Sequence, residues 1–330
     1  MKTYTNVNEI ALSMAVFLVT DDYDGESPDE FTISVTSLLK STRQIILGKR
    51  LEGDSLVDIS TLIASRMGSA YHKAIEQAWF TNHIKAWKAL ATPNKIVDKI
   101  VINPTKVGPG EIPVYLEQRV NKKYGRWTIT GKYDLIIDGT LEDIKSTKVF
   151  TYLKQTNKDK YALQGSLYQW LNQDKITDTN MRINYVFTDW DVNKSKSDPN
   201  YPRLPIITQK IPLVDAQLFL KNKIRELDKY YDKDEIDLPP CNDSELWRDS
   251  PTWKYYANQE STKATKNFDS EYEAKRHLAE KRKGVVRYVP GKVRACLYCP
   301  AFSICTQKDY LIETGELTIW KLYLIYYLLF

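Results

Sequence analysis

Glycine is scarce in this chain, histidine and cysteine scarcer still, and there is no long apolar run and no strong excess of either charge. Thirteen of 330 residues are glycine, against a usual share of about 7%, and no G-x-x-x-x-G-K-[ST] loop occurs anywhere. The chain therefore carries no P-loop nucleotide motor of its own. With no Gly-rich turn joining a first strand to a helix, a doubly wound nucleotide fold is also disfavoured. No apolar stretch reaches the roughly 20 residues of a membrane-spanning helix. The last twelve residues, 319–330, are almost all apolar but too short to span; they are expected to form a packed strand or helix, or a docking surface. The opening MKTYTNVNEIALSMAVFLVTDD lacks the basic start and small-residue cleavage site of a signal peptide, so a cytoplasmic location is expected. In that compartment the four cysteines are not expected to form structural disulfides. A net charge of +5 does not by itself argue for nucleic acid, so any such case must rest on local features. What is present is ordinary for a globular chain: 42% hydrophobic and 27% charged residues.

Periodicity gives the organisation. Residues 1–60 read as a helical approach segment, on the evidence of SVTSLLKSTRQIILGKRLE. Residues 58–90 are again helical, with Ile63, Met67, Ala70, Ala74 and Ala78 on one face. After the loop NPTKVGPGEIP come the strand-like segments EIPVYLEQRV, RWTITGKYDLIID and TLEDIKS, rich in β-branched and aromatic residues. DKYALQGSLYQWLNQ is helical, RINYVFTDW and RLPIITQKIPL are strands, and DAQLFLKNKIRELDKYYDK is a charged amphipathic helix. Beyond LPPC the composition is polar and basic up to a cluster of cysteines. This order predicts an α/β fold in which a mixed sheet is flanked by helices. The expected division is a core at 1–235, a basic cysteine-bearing segment at 236–310 packed on it, and the apolar tail at 311–330.

The chemistry concentrates in GKYDLIIDGTLEDIKS. Asp138-Gly139 is a strong two-residue hairpin signal, because both positions accept positive φ. Such a turn pairs Ile137 with Thr140 and sets Asp134 opposite Asp143, with Lys145 on the same face. Facing carboxylates destabilise a sheet unless something holds them together. A divalent cation with oxygen ligands, magnesium or manganese, is the simplest reason; a solvated surface hairpin is the alternative. Two helical patterns add to it. His72 and Glu76 share a face one turn after Gly68, and Gln164 and Tyr168 share a face beside Leu163, Leu167 and Trp170. Taken alone, His72 reads equally as a hydrogen-bonded core residue and the second pair as the polar flank of an amphipathic helix.

In order, these pieces resemble the RecB-like branch of the PD-(D/E)XK nuclease superfamily, which reads G-x-x-x-H-x-x-x-E, G-x-x-D, D/E-x-K and Q-x-x-x-Y. They stand here as Gly68/His72/Glu76, Gly131/Asp134, Asp143/Lys145 and Gln164/Tyr168, over about residues 30–170. Tyr133 replaces the proline of the superfamily's name, as in many RecB-like members. The resemblance implies a restriction-endonuclease-like core that hydrolyses phosphodiester bonds. It implies magnesium or manganese held by Asp134 and Asp143, with His72 a further ligand and Glu117 a candidate one. Lys145 would be the catalytic lysine, and Gln164 and Tyr168 would position DNA or the active centre. A phage or mobile-element exonuclease in recombination, repair or DNA processing is the favoured form, in a bacterial or phage-infected cell. A structure-specific endonuclease and a silent DNA-binding or assembly module are the alternatives. A metal-cluster scaffold or redox protein, in which the carboxylate hairpin is incidental, stands apart from all three.

Cys296, Cys299 and Cys305 form C-x2-C-x5-C, and Cys241 is the one other cysteine. Thiolates so spaced converge on a structural zinc or an iron–sulfur cluster, and spacing does not choose between them. The resemblance favours [4Fe–4S], since AddB-type and CRISPR-associated RecB-like nucleases end in the same spacing. There the fourth cysteine precedes the nuclease core, whereas Cys241 follows it. Residues 263–294 carry ten Lys or Arg against four acids, interleaved with Phe268, Tyr272, His277 and Tyr288. That mixture suits a nucleic-acid strand, and equally a solvated face. Lys148, Lys154, Lys158 and Lys160 follow the hairpin closely and are candidates to line the same channel.

Overall fold

The computed structural model describes residues 3–20, 29–51 and 56–319; most of the apolar tail, from residue 320, lies outside them. In chain order the strands are β1 (Thr3–Thr5), β2 (Thr32–Ser34), β3 (Leu56–Asp58), β4 (Ile100–Ile102), β5 (Ile112–Leu116), β6 (Arg119–Tyr124), β7 (Trp127–Lys132), β8 (Leu135–Ile137), β9 (Thr140–Thr147), β10 (Asn180–Phe187), β11 (Ile206–Pro212), β12 (Thr252–Tyr256), β13 (Lys266–Phe268) and β14 (Val285–Val289). The helices are α1 (Leu12–Val19), α2 (Val35–Leu38), α3 (Thr42–Arg50), α4 (Ile63–Ala89), α5 (Asn94–Val97), α6 (Val149–Lys154), α7 (Lys158–Leu171), α8 (Val192–Ser197), α9 (Gln217–Tyr230), α10 (Glu271–Lys281) and α11 (Thr306–Glu313). No described helix is long and apolar enough to cross a membrane. The chain forms two units: Met1–Leu39 with Glu52–Ile224, and Lys40–Leu51 with Arg225–Phe330.

The first unit is a mixed α/β structure. Its main sheet has six strands in the order β11-β10-β9-β8-β5-β4. The β9–β10 and β4–β5 pairs are parallel and the others antiparallel. The central hairpin has the expected register, Leu135↔Glu142, Ile136↔Leu141 and Ile137↔Thr140. Its turn has Asp138 at φ 47° and Gly139 at φ 82°, the left-handed pair that matches strand twist. A Cβ at position 139 would collide with Thr177 Oγ1, and the Gly139 carbonyl accepts bonds of 3.1 Å from the amides of both Thr177 and Asp178.

Alternation along the hairpin sorts the two faces of the sheet. Leu135 and Ile144 lie on one face, in a core with Val114, Leu116 and Val186, against which Ile75 and Trp79 of α4 pack. Asp143 and Lys145 point to the other face, towards Gln164 of α7. Gly131 lets α7 approach, since a Cβ there would stand 2.6 Å from Leu171 Cδ1 and 3.0 Å from Tyr168 Cε1.

Two expectations are corrected in this unit. Residues 1–60 are not purely helical, because β1 and β3 pair in parallel and β2 joins β7 in the sheet β2-β7-β6. The long helix α4 also presents a different face from the one its apolar residues suggested. Ile63 and Met67 are 45% and 43% exposed, while Gly68, His72, Ile75, Trp79 and His83 form the half-buried line. The inward line carries two histidines, so hydrophobic periodicity points to the wrong side.

The second unit contains structure that its polar composition concealed. β13-β12-β14 is an antiparallel sheet, and α10 packs on it. His277 of α10 stacks edge-on against Tyr255 at 4.8 Å and lies 5.2 Å from Phe268. Of the aromatics read as base-stacking candidates, Phe268 and His277 thus join helix to sheet, while Tyr272 and Tyr288 remain exposed. Several of the cations are engaged too: Lys275 with Glu271, Arg276 with Glu280, and Arg294 with Asp249. A separate apolar cluster of Leu246, Val293, Phe302, Leu311 and Leu317 underlies the cysteine-bearing turns. The helix α3 belongs here. It opens with a full capping box, in which Ser41 Oγ accepts the Gln44 amide and the Gln44 side chain returns the bond.

Candidate active site

Asp134 sits where β7 has ended and β8 begins. One of its oxygens, Oδ2, accepts the Ile144 amide at 2.7 Å, which locks it across the hairpin. The other, Oδ1, lies 3.2 Å from His72 Nδ1 on α4. Glu117 closes the group, its Oε1 3.5 Å from the same nitrogen. Glu117 lies between β5 and β6 at φ 50°, a left-handed conformation that non-glycine residues seldom adopt and that concentrates at functional sites. Its amide donates to the Asp134 carbonyl at 2.9 Å, so the main chain joins the two acids directly and His72 lies between their side chains. His72, Glu117 and Asp134 together offer three ligand atoms within 4.8 Å of one another. Glu76, one turn further along α4, is outside that group.

Asp143 is buried, at 3% exposure, and takes different partners. Lys145 Nζ lies 2.7 Å from its Oδ2, and Gln164 Nε2 donates to its Oδ1 at 3.4 Å. Gln164 also accepts from Lys145 Nζ at 3.3 Å and donates to the Tyr168 hydroxyl at 3.3 Å. The four residues form one network, and the ammonium also lies 5.2 Å from the centre of the Tyr161 ring. The register expected from the sequence holds as far as Leu135↔Glu142, one position short of Asp134 and Asp143, and Asp134 turns to α4 while Asp143 turns to α7.

The electrostatics follow from this layout. Burial works against an imidazolium at His72, but the two carboxylates overcome it and lift its pKa from 6.5 to about 10. Burial also works against the Lys145 ammonium, and Asp143 and Asp134 again prevail, raising it. Asp143 is pushed above the usual carboxylate range by burial, with Lys145 pulling it back. Lys132 was not foreseen at the site; its Nζ lies 2.8 Å from Glu117 Oε2. It immediately follows Gly131 of the G-x-x-D pattern, which is the signal that could have found it. One imidazole nitrogen and several carboxylate oxygens that already gather cations fit a small divalent metal ion.

In the second unit the four cysteines line one cavity together with Arg43 and Gln44. Cys296 lies in a 3-10 turn (Ala295–Tyr298), and Cys299 and Cys305 flank another (Pro300–Ile304). Cys241 is clamped by Gln307, whose side chain exchanges two bonds of 2.9 Å with its backbone. Burial pushes the Cys241 thiol up to about 11. Burial and the neighbouring cysteines push Cys296 up to about 12.

Of the comparisons with known proteins, the match to a family model agrees with the fold. The family model described as the PD-(D/E)XK nuclease superfamily matches residues 52–306. No curated protein matches the chain significantly. Among solved structures, that of the protein SSO0001 is similar over 68% of this chain and 89% of its own, with 15% identity and a TM-score of 0.40. A phage-related exonuclease from Haemophilus somnus 129PT is similar over 61% of this chain and 94% of its own, with 14% identity and a TM-score of 0.29. At such scores neither likeness carries an argument about fold or activity.

Proposed function

The chain belongs to the PD-(D/E)XK nuclease superfamily, and from that premise we propose that it is a magnesium- or manganese-dependent deoxyribonuclease, acting as an exonuclease in DNA recombination, repair or phage DNA processing. The observation that carries this reading is the convergence of His72, Glu117 and Asp134 beside the buried Asp143–Lys145 pair. His72, Glu117 and Asp134 would hold the metal, with Asp143 adjoining them. A metal held there would supply Lewis-acid chemistry to the phosphodiester and acidify water. Lys145 brings an ammonium to the charge that develops on the phosphate. Asp143 and Gln164 fix that ammonium, and Tyr168 supports Gln164. Glu117, held by Lys132 and by its left-handed backbone, keeps its carboxylate on the same side as Asp134. The partner is DNA, and residues 263–294, with Tyr272 and Tyr288 exposed, are the proposed strand-contacting region.

In the second unit, the gathering of Cys241, Cys296, Cys299 and Cys305 around one cavity supports a structural metal centre, [4Fe–4S] or zinc. Four sulfur donors suit either; Glu245 also lines the cavity, and no three of the sulfurs lie within 4.8 Å of one another as the His72 group does.

The test is cleavage of linear and circular DNA, single- and double-stranded, with magnesium, manganese or chelator. Wild type should degrade linear DNA from its ends, and Asp143→Asn should be slower by about 10³-fold or more. Cutting of closed circles would move the assignment to the structure-specific endonuclease. Full activity in Asp143→Asn would remove the site.

A further inference from the structure

The reading of the four cysteines as a metal centre leaves open what faces their sulfurs, and the structure gives a specific answer. Three side chains from four consecutive residues at the start of α3 approach three different sulfurs. Ser41 Oγ lies 3.1 Å from Cys241 Sγ, Arg43 Nε donates to Cys305 Sγ at 3.3 Å, and Gln44 Nε2 lies 3.8 Å from Cys299 Sγ. The capping box fixes Ser41 and Gln44 relative to each other, so the donors arrive as one rigid turn. Resting on that metal-centre reading, we infer that the N-terminal turn of α3 is the donor wall of a metal–thiolate centre and that Arg43 is its charge partner and positioning residue.

The chemistry of such a centre explains why a guanidinium is buried here. Four thiolates on a core of charge +2 leave a net charge of about −2 in a half-buried site. Burying that charge is costly unless donors and positive charge offset it. Arg43 is 4% exposed and is held from every side. Its Nη1 donates to the Leu238 carbonyl at 3.1 Å, its Nη2 to Thr306 Oγ1 at 3.4 Å, and it forms an ion pair with Glu235. With its terminal nitrogens engaged, its Nε is directed at sulfur. A buried arginine serving only to neutralise Glu235 would need no sulfur contact. The positive end of the α3 dipole lies on the same side. Donors in this position orient the ligands of a metal and slow its loss.

The experiment uses the full chain as wild type, Arg43→Lys and Gln44→Met. Iron and zinc per chain, the rate of metal loss to a chelator and circular dichroism are measured together, and the reduction potential is added where iron is present. Arg43→Lys keeps the charge but lacks Nε. It should fold as wild type, release metal about tenfold faster and, with iron, show a more negative potential. Gln44→Met should release metal faster by a smaller factor. Wild-type release rates in both variants would overturn the inference while leaving the metal centre intact. If Arg43→Lys fails to fold, Gln44→Met alone decides in the same way. A wild-type chain that holds neither metal and takes up neither would overturn the centre itself and this inference with it.

Discussion

In the first unit the acidic side chains already sit against their own cations: Asp134 and Glu117 against His72, Glu117 also against Lys132, and Asp143 against Lys145. In the second unit four sulfurs share a cavity, with burial favouring the neutral, protonated form of Cys241 and Cys296. In the first centre, strands and a long helix hold each of these acids against a cation. The second is built from 3-10 turns and a helix start, held by short-range bonds such as that from the Cys299 amide to the Cys296 carbonyl at 3.1 Å. On the proposed reading, a metal would be chemistry for the first centre and architecture for the second.

The sharpest way to break that contrast is to exchange the readouts. Cys299→Ser should cost stability, about 4 kcal/mol where free metal stands at roughly 1,000 times its Kd, seen as a Tm lower by roughly 10 °C. Asp143→Asn, proposed to lose activity, should cost about 3–5 kcal/mol with or without added metal, because the buried Lys145 ammonium loses its nearest carboxylate, whereas the loss in Cys299→Ser should vanish when both proteins are stripped of metal. Calorimetry on both variants checks this, and a Cys299→Ser chain of unchanged Tm would dissolve the distinction.

A smaller effect concerns how the fourth sulfur is placed. Ser41 Oγ and Cys241 Sγ are 3.1 Å apart, so a sulfur at position 41 would face the same cavity as the one it replaces. Cys241→Ser should lose metal, and Ser41→Cys combined with Cys241→Ser should regain at least about half of it, at the cost of an N-cap worth about 1 kcal/mol. Metal analysis of the two proteins decides, and a double variant as empty as the single one would show that position 41 cannot supply a ligand.

The mildest effect is a slope with pH. A histidine raised from 6.5 to about 10 stabilises the metal-free protein fully below about pH 6.5, and that stability is lost as pH rises through about 10. Metal ligation needs the neutral ring, so between about pH 7 and 9 binding should release one proton from His72 and strengthen up to about tenfold per pH unit. Isothermal titration in buffers of different ionisation enthalpy measures the proton. Affinity that stays flat over this range would put His72 outside the ligand set.

Much of the first centre was legible because a two-residue turn converts sequence spacing into register. Asp138-Gly139 pairs Ile137 with Thr140, and the register follows from counting as far as Leu135 and Glu142. The contribution of α4 was legible only as a motif. Its inward stripe includes His72 and His83, so the apolar pattern indicated the wrong face. Lys132 and the left-handed Glu117 were hidden because neither has a periodic signature; Glu117 is set by a break between strands that only tertiary pairing creates. The sheet β13-β12-β14 was missed because its strands are short and lysine-rich, and their aromatics resembled a stacking surface. The sulfur contacts of Ser41, Arg43 and Gln44 join residues roughly 200 to 260 positions apart, which no local pattern encodes.

The turn at Asp138-Gly139 has one more consequence. Its glycine is wedged against Thr177 and its carbonyl is claimed by two amides from the far side of α7, so the loop has no slack to absorb an extra residue. A strand slipped by one position turns every side chain to the opposite face, and here that would move Asp143 and Lys145 together out of reach of Gln164. Letters within the eight positions between Asp134 and Asp143 can drift as far as packing allows, but their number cannot. For this stretch of the gene the dangerous lesion is an in-frame insertion or deletion of a single codon, which would silence the site more surely than most substitutions around it.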